Sequence, residues 1–168
     1  MKNNQVAAIR HIFDKCDIDI TLRDDKQCGI MHYGVYCDVE FIKYMVETIG
    51  VPYDFLNEEE ENILYGSGGW DHDKISENTL DYLIDDLGLD YKGGNKWKTN
   101  ILMDYIQYGR ILKLGRIIYW IEKRAIDPWD TNWGGTTIFV LLEERIKKNK
   151  PVDEEVRLYL SAIKDKKS

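Results

Sequence analysis

The sequence predicts a mainly α fold, α+β by strict naming: a compact domain of about six or seven helices around a central hydrophobic helix, with one small N-terminal β-hairpin. Three observations predict it. Apolar residues recur at helical spacing along most of the 168 residues. Period-two alternation is confined to Ile18, Ile20 and Leu22. Residues 97–124, WKTNILMDYIQYGRILKLGRIIYWIEKR, form the longest apolar-rich run and suit a buried spine.

In chain order, Val6, Ile9, Ile12, Phe13 and Cys16 make the stripe of a first helix over 4–16. Residues 18–22 then read as a strand, 23–27 as a polar turn and 28–37, rich in aromatic and β-branched side chains, as the returning strand. Asp38 suits the N-cap of a helix running to Ile49, with Gly50 at its C-terminal end and Pro52 barring continuation. Asn57 would cap a short helix over 57–65, its four glutamates favoured by the positive N-terminal dipole. After the loop Gly66-Ser67-Gly68-Gly69, Ser76 caps a helix stapled by Ile75 and Leu80 and closed by Gly88. Within the spine, Gly109 separates two apolar stripes and invites a kink or break. A Trp-containing loop over 127–135 leads to a helix over 136–148, and Asp153 caps the last one. No internal repeat is read from the sequence, which predicts one domain, 1–168. Its parts are a helix with hairpin (1–37), an acidic helical part (38–90), a basic and apolar central helix (91–124) and a C-terminal part (125–168).

Charge is distributed unevenly. The net charge of −7 conceals residues 38–90, where Lys43 and Lys74 face fifteen acids, and residues 91–124, where eight basic groups face Asp104 and Glu122. Asp104, Arg110, Lys113 and Arg116 interrupt the one run long enough to cross a bilayer, each costing about 2.5–3.5 kcal/mol at the centre, so no membrane span is expected. Three cysteines cannot all pair, and the N-terminus lacks an apolar signal-type segment; reduced thiols and a cytoplasmic location are expected.

Five constellations bear on function. Glu77, Asp81 and Asp85 repeat at i, i+4 and i+8, a spacing at which like charges oppose helix stability. With Glu58, Glu59, Glu60, Glu61, Asp71 and Asp73 they make an acidic face suited to a protein partner with a basic surface; the same carboxylates would equally serve as internal partners for the basic stretch. Arg110, Lys113, Arg116, Lys123 and Arg124 surround Trp120, the mixture of cations and a ring that a single-stranded nucleic acid needs. The acidic chain as a whole opposes that use. Cys16, Cys28, His32 and Cys37 are the best zinc set available, but their spacing matches no standard knuckle, and buried thiols explain them as well. His72, between Asp71 and Asp73, would suit a general base or a metal ligand, and no nucleophile is tied to it by a motif. Trp129 and Trp133 either close the core or stand as contact residues.

The expected function is therefore a non-enzymatic acidic protein-binding module without catalytic residues or cofactor. Its concrete form is an inhibitor or antagonist, of the immunity or phage anti-defence kind, blocking the basic nucleic-acid-binding surface of another protein. The alternatives are a nucleic-acid-binding accessory protein using the 110–124 helix, and a small metal-dependent enzyme.

Overall fold

A computed structural model describes residues 2–65 and 74–166. Its basic unit is a five-residue turn that occurs four times among the described residues, at residues 24–28, 57–61, 95–99 and 132–136. Each turn opens on Asp24, Asn57, Asn95 or Asn132. The side-chain Oδ1 of that residue accepts from the backbone N–H groups two and four positions on, at 2.8–3.1 Å. Asp and Asn do this because their short side chains mimic a backbone carbonyl. The fourth residue of each turn takes a left-handed backbone: Gln27, Glu60, Lys98 and Gly135 have φ of 61°, 60°, 55° and 72°.

Helices follow the turns in a fixed order. After α1 (Lys2–Lys15), the first turn leads to α2 (Ile30–Gly34), then α3 (Val39–Lys43), which continues as a π-helical segment, Tyr44–Ile49. The second turn leads to the 3-10 turn Ile63–Tyr65 and, beyond the undescribed residues, to α4 (Glu77–Asp81) with its continuation Tyr82–Asp86. The third leads to α5 (Ile101–Tyr108) and α6 (Leu114–Ile118), continued by Tyr119–Lys123. The fourth leads to α7 (Ile138–Lys147) and α8 (Glu154–Asp165). The units stack in two rows. α2, Ile63–Tyr65, α5 and α7 follow one another in the first row, with Ile63, Ile101 and Ile138 fully buried at equivalent places. In the second row α3 packs on α4 and α6 on α8; side-chain bonds from Tyr119 and Arg124, in and just after the continuation of α6, reach Asp81 of α4 and Asp85 of its continuation. Arg10 of α1, 4.5 Å over the Tyr44 ring, extends this row upstream.

Three second-row helices end alike. Gly50, Gly88 and Ala125 are left-handed, with φ of 77°, 72° and 52°. The next residue, Val51, Leu89 or Ile126, is buried, and its N–H returns six residues to Met45, Leu83 or Trp120 at 2.9–3.1 Å. The chain is thus a repeat array, in which each unit buries its apolar surface against the next.

Several expectations are corrected by this arrangement. The array contradicts the absence of an internal repeat. The N-terminal hairpin does not form: Arg23 and Gly29 make one isolated antiparallel bridge, and the expected second strand contains α2. Its apolar residues are there because α2 packs into the core, with Met31 and His32 buried, not because it pairs as a strand. The four glutamates sit in a turn, not a helix, and Asn57 opens that turn. The central spine is two helices. A side chain at Gly109 would lie 2.5 Å from the Tyr105 carbonyl and 2.8 Å from its ring, so the chain closes tightly there and leaves the helix. Tyr105 then holds the connection, its hydroxyl donating to Ile111 O at 3.1 Å and accepting from Lys113 N at 2.8 Å. Among the described residues no helix is long and apolar enough to cross a membrane.

Candidate recognition surface

The turns are bonded to one another in register. Glu58 N–H donates to Lys26 O at 2.9 Å, Lys96 N–H to Glu59 O at 2.9 Å and Trp133 N–H to Trp97 O at 3.1 Å. In each case the second residue of one turn meets the third residue of the turn before it. Side chains reinforce two of the junctions. His32 and Tyr65 stand at equivalent positions in the first row, and each ring reaches the last carbonyl of the next turn: His32 Nε2 to Glu61 O at 3.3 Å, Tyr65 OH to Thr99 O at 3.1 Å. Glu61 accepts from Asn57 Nδ2 and Asn95 Nδ2, both at 3.0 Å, and joins the second turn to the third. Burial holds its carboxyl above the usual range.

The middle residues of the turns therefore form one continuous strip. Along it lie Asp25, Lys26 and Gln27, then Glu58, Glu59 and Glu60, then Lys96, Trp97 and Lys98, and last Trp133 with two glycines. Trp97 is 54% exposed and Trp133 67%. Tryptophan is enriched among the residues that carry binding energy at protein interfaces. Glu59 accepts from Lys96 Nζ at 2.8 Å and Trp97 Nε1 at 3.2 Å, which keeps its carboxyl below the usual range. The Lys96 ammonium also lies 5.4 Å from the centre of the Trp97 ring.

The predicted acidic face is divided by the fold. Glu58, Glu59 and Glu60 lie on the strip, whereas Glu61 is half-buried within it. Asp71, Asp73 and His72 lie outside the described residues. Glu77 is exposed in the first turn of α4. Asp81 and Asp85, on the second row, are bound within the molecule. Arg124 donates to both oxygens of Asp85, at 2.6 and 2.9 Å, and to Asp81, while Lys123 donates to Asp81 at 2.7 Å. These cations hold both carboxyls below their ordinary range, against the burial of Asp81. The Tyr119 hydroxyl completes the group, donating to Asp81 at 2.9 Å and accepting from Arg124 Nε at 2.9 Å.

The predicted basic face is likewise divided: Lys123 and Arg124 are bound to Asp81 and Asp85. Trp120 is 1% exposed, edge-on to Tyr119 at 4.9 Å, and presents no face to a base. Arg116 donates to the Ile75 carbonyl. Arg110 and Lys113 are exposed in the connection between α5 and α6. The Cys/His set does not assemble. Cys16 is exposed, Cys28 buried and Cys37 half-buried. Both ring nitrogens of His32 are engaged, Nδ1 accepting from Gly29 N–H at 3.2 Å. Among the described residues no three His, Cys, Asp or Glu side chains form a group able to hold a metal. Trp129 folds back onto Phe139, ring centres 4.4 Å apart, and only its neighbour Trp133 stands open.

Sequence reasoning missed Trp97 as a surface group because it was read as the start of the spine. It missed Arg145 altogether. That guanidinium is 2% exposed and donates to the carbonyls of Ile106, Arg110 and Pro151 at 3.0–3.2 Å, closing the end of α5 from α7. Compared with known proteins, the chain matches no family model, and no curated protein is similar to it.

Proposed function

We propose that this chain is a protein-binding module, not an enzyme, and that the strip of stacked turns is the surface it binds with. The observation that carries the proposal is the in-register backbone bonding of the turns, which sets Glu58, Glu60, Trp97 and Trp133 on one continuous edge without using them in the core. A turn followed by two helices, at a period of 33–38 residues, is the plan of ankyrin-type arrays. That is a comparison of architecture, and such arrays present extended surfaces to partners. Exposed carboxylates at the second turn with exposed aromatics at the third and fourth suit a partner surface with basic and apolar groups together. The narrower form, antagonism of a protein whose basic surface binds nucleic acid, rests on Glu58 and Glu60.

The test compares capture from host lysate by the native chain, by Trp133→Ala and by Asp81→Asn/Asp85→Asn, with melting temperatures measured alongside. Trp133→Ala keeps its melting temperature and loses the partner. Asp81→Asn/Asp85→Asn melts lower, because Arg124 loses its carboxylates, yet retains the partner below its melting point. A partner held by Trp133→Ala and lost by a folded second-row variant removes the turn strip as the site. If the captured partner still binds nucleic acid when saturated with the chain, the narrower form fails.

A further inference from the structure

We infer that the partner segment crossing the turn strip is extended, with a basic residue over the second turn and a large apolar or aromatic residue over Trp133, five or six residues apart. This rests on the strip being the binding surface, and adds what occupies it. The molecule contains a small template for the first contact. Lys96 places its ammonium 2.8 Å from the Glu59 carboxylate and 5.4 Å from the Trp97 ring centre, so a cation is already held on this strip by a carboxylate and an indole together. That pairing satisfies Glu59. Glu58 and Glu60, one on each side of it, are exposed, and neither side chain is in an ion pair among the described residues. They are the carboxylates left for a cation from outside. Further along, Lys98 is an exposed positive group at the third turn, in no ion pair among the described residues, which disfavours a second cation there. The fourth turn carries no charge between Asn132 and Thr136; it offers the open Trp133 ring beside two glycines. The order along the strip is thus negative, positive, then aromatic.

The spacing follows from the stacking. Helices of one row lie about 8–10 Å apart, so the second and fourth turns are separated by about 16–20 Å. An extended chain advances about 3.3 Å per residue, which gives five or six residues between the two contacts. A helix would need about twice as many.

The test selects phage-displayed linear 12-residue peptides on the full chain. The expected winners carry Arg or Lys followed, or preceded, at about that distance by Trp, Phe, Tyr, Leu or Met. Binding of the best peptide should fall at least about tenfold in Trp133→Ala and again in Glu58→Gln/Glu60→Gln, and stay level in Glu77→Gln, on the second row. Circular dichroism of each variant confirms that it is folded. Winners that depend on Trp133 but carry no basic residue, or are indifferent to Glu58→Gln/Glu60→Gln, overturn the inference and leave the strip as the binding surface. Winners indifferent to Trp133→Ala and to the glutamate pair overturn both. A selection that enriches nothing overturns the inference as well.

Discussion

His32 shows how one side chain can join two units of the array and make the joint sensitive to acid. Gly29 N–H donates to Nδ1, so that nitrogen carries the lone pair and Nε2 carries the proton that reaches Glu61 O. The ring is fully buried, and that burial depresses its affinity for a proton below the ordinary value of 6.5. A base whose folded pKa is lowered gives its full stability above the unfolded value and loses it as pH falls below that. Protonation would also set an N–H against the Gly29 N–H. The expected result is a larger drop in melting temperature for the native chain than for His32→Gln on acidification from about pH 7.5 to about pH 5.5. Gln retains an amide donor for Glu61 O and does not titrate. Glu61 itself, raised by burial, shifts stability in the opposite sense, but it does so in both chains, and the difference between them isolates His32. Equal slopes would mean that the first joint opens without regard to this ring.

At the scale of elements, the ends of the second-row helices give a direct test of the repeat. Gly50, Gly88 and Ala125 occupy equivalent left-handed positions, and only the third has a side chain. Left-handed backbone costs a non-glycine residue about 1–2 kcal/mol, partly offset by the greater unfolded-state entropy of glycine. Ala125→Gly should therefore raise stability by about 0.5–1 kcal/mol in urea unfolding, with an unchanged m value. Destabilisation would show that Ala125 is held by something other than helix termination. The same position shows what was legible. Gly50 and Gly88 announced their helix ends, and the caps Asp38 and Ser76 announced the starts; their side chains accept from Phe41 N and Thr79 N. Ala125 announced nothing, because the array supplies the buried Ile126 that fixes the end from the far side. The turns were hidden for a related reason. They begin 33, 38 and 37 residues apart, so no single period runs through the sequence. Their common signal is an Asp or Asn six residues before Ile30, Ile63, Ile101 and Ile138, and it becomes readable only once the hydrogen bonds show its use. Local chemistry thus revealed the helices, while the surface depended on contacts between units that no local pattern reports. Asp81 and Asp85 are the clearest case: their spacing implied an outward face, but the residue that pairs them, Arg124, lies on another helix.

For the whole molecule, a stack of units is stabilised mainly by its nearest-neighbour joints, and the end units have one neighbour instead of two. Opening should then begin at the ends and reach the centre last. The turn-to-turn amides of Glu58, Lys96 and Trp133 report on three successive joints through chemically identical bonds of 2.9, 2.9 and 3.1 Å. The middle joint is the one farthest from both ends of the stack. Beside the Lys96 amide it holds the Tyr65 to Thr99 bond, the Asn95 to Glu61 bond and, on the second row, the grip of Arg124 and Lys123 on Asp81 and Asp85. Native-state hydrogen exchange on the full chain should find the Lys96 amide slower than those of Glu58 and Trp133 by at least about tenfold, after correction for intrinsic rates. Asp81→Asn should narrow that gap by loosening the middle joint alone. Equal protection at all three amides would mean that the stack opens as one cooperative body. The edge carrying Trp97 and Trp133 would then be no more pliable at its end than at its middle, and a partner would meet it already set along its whole length.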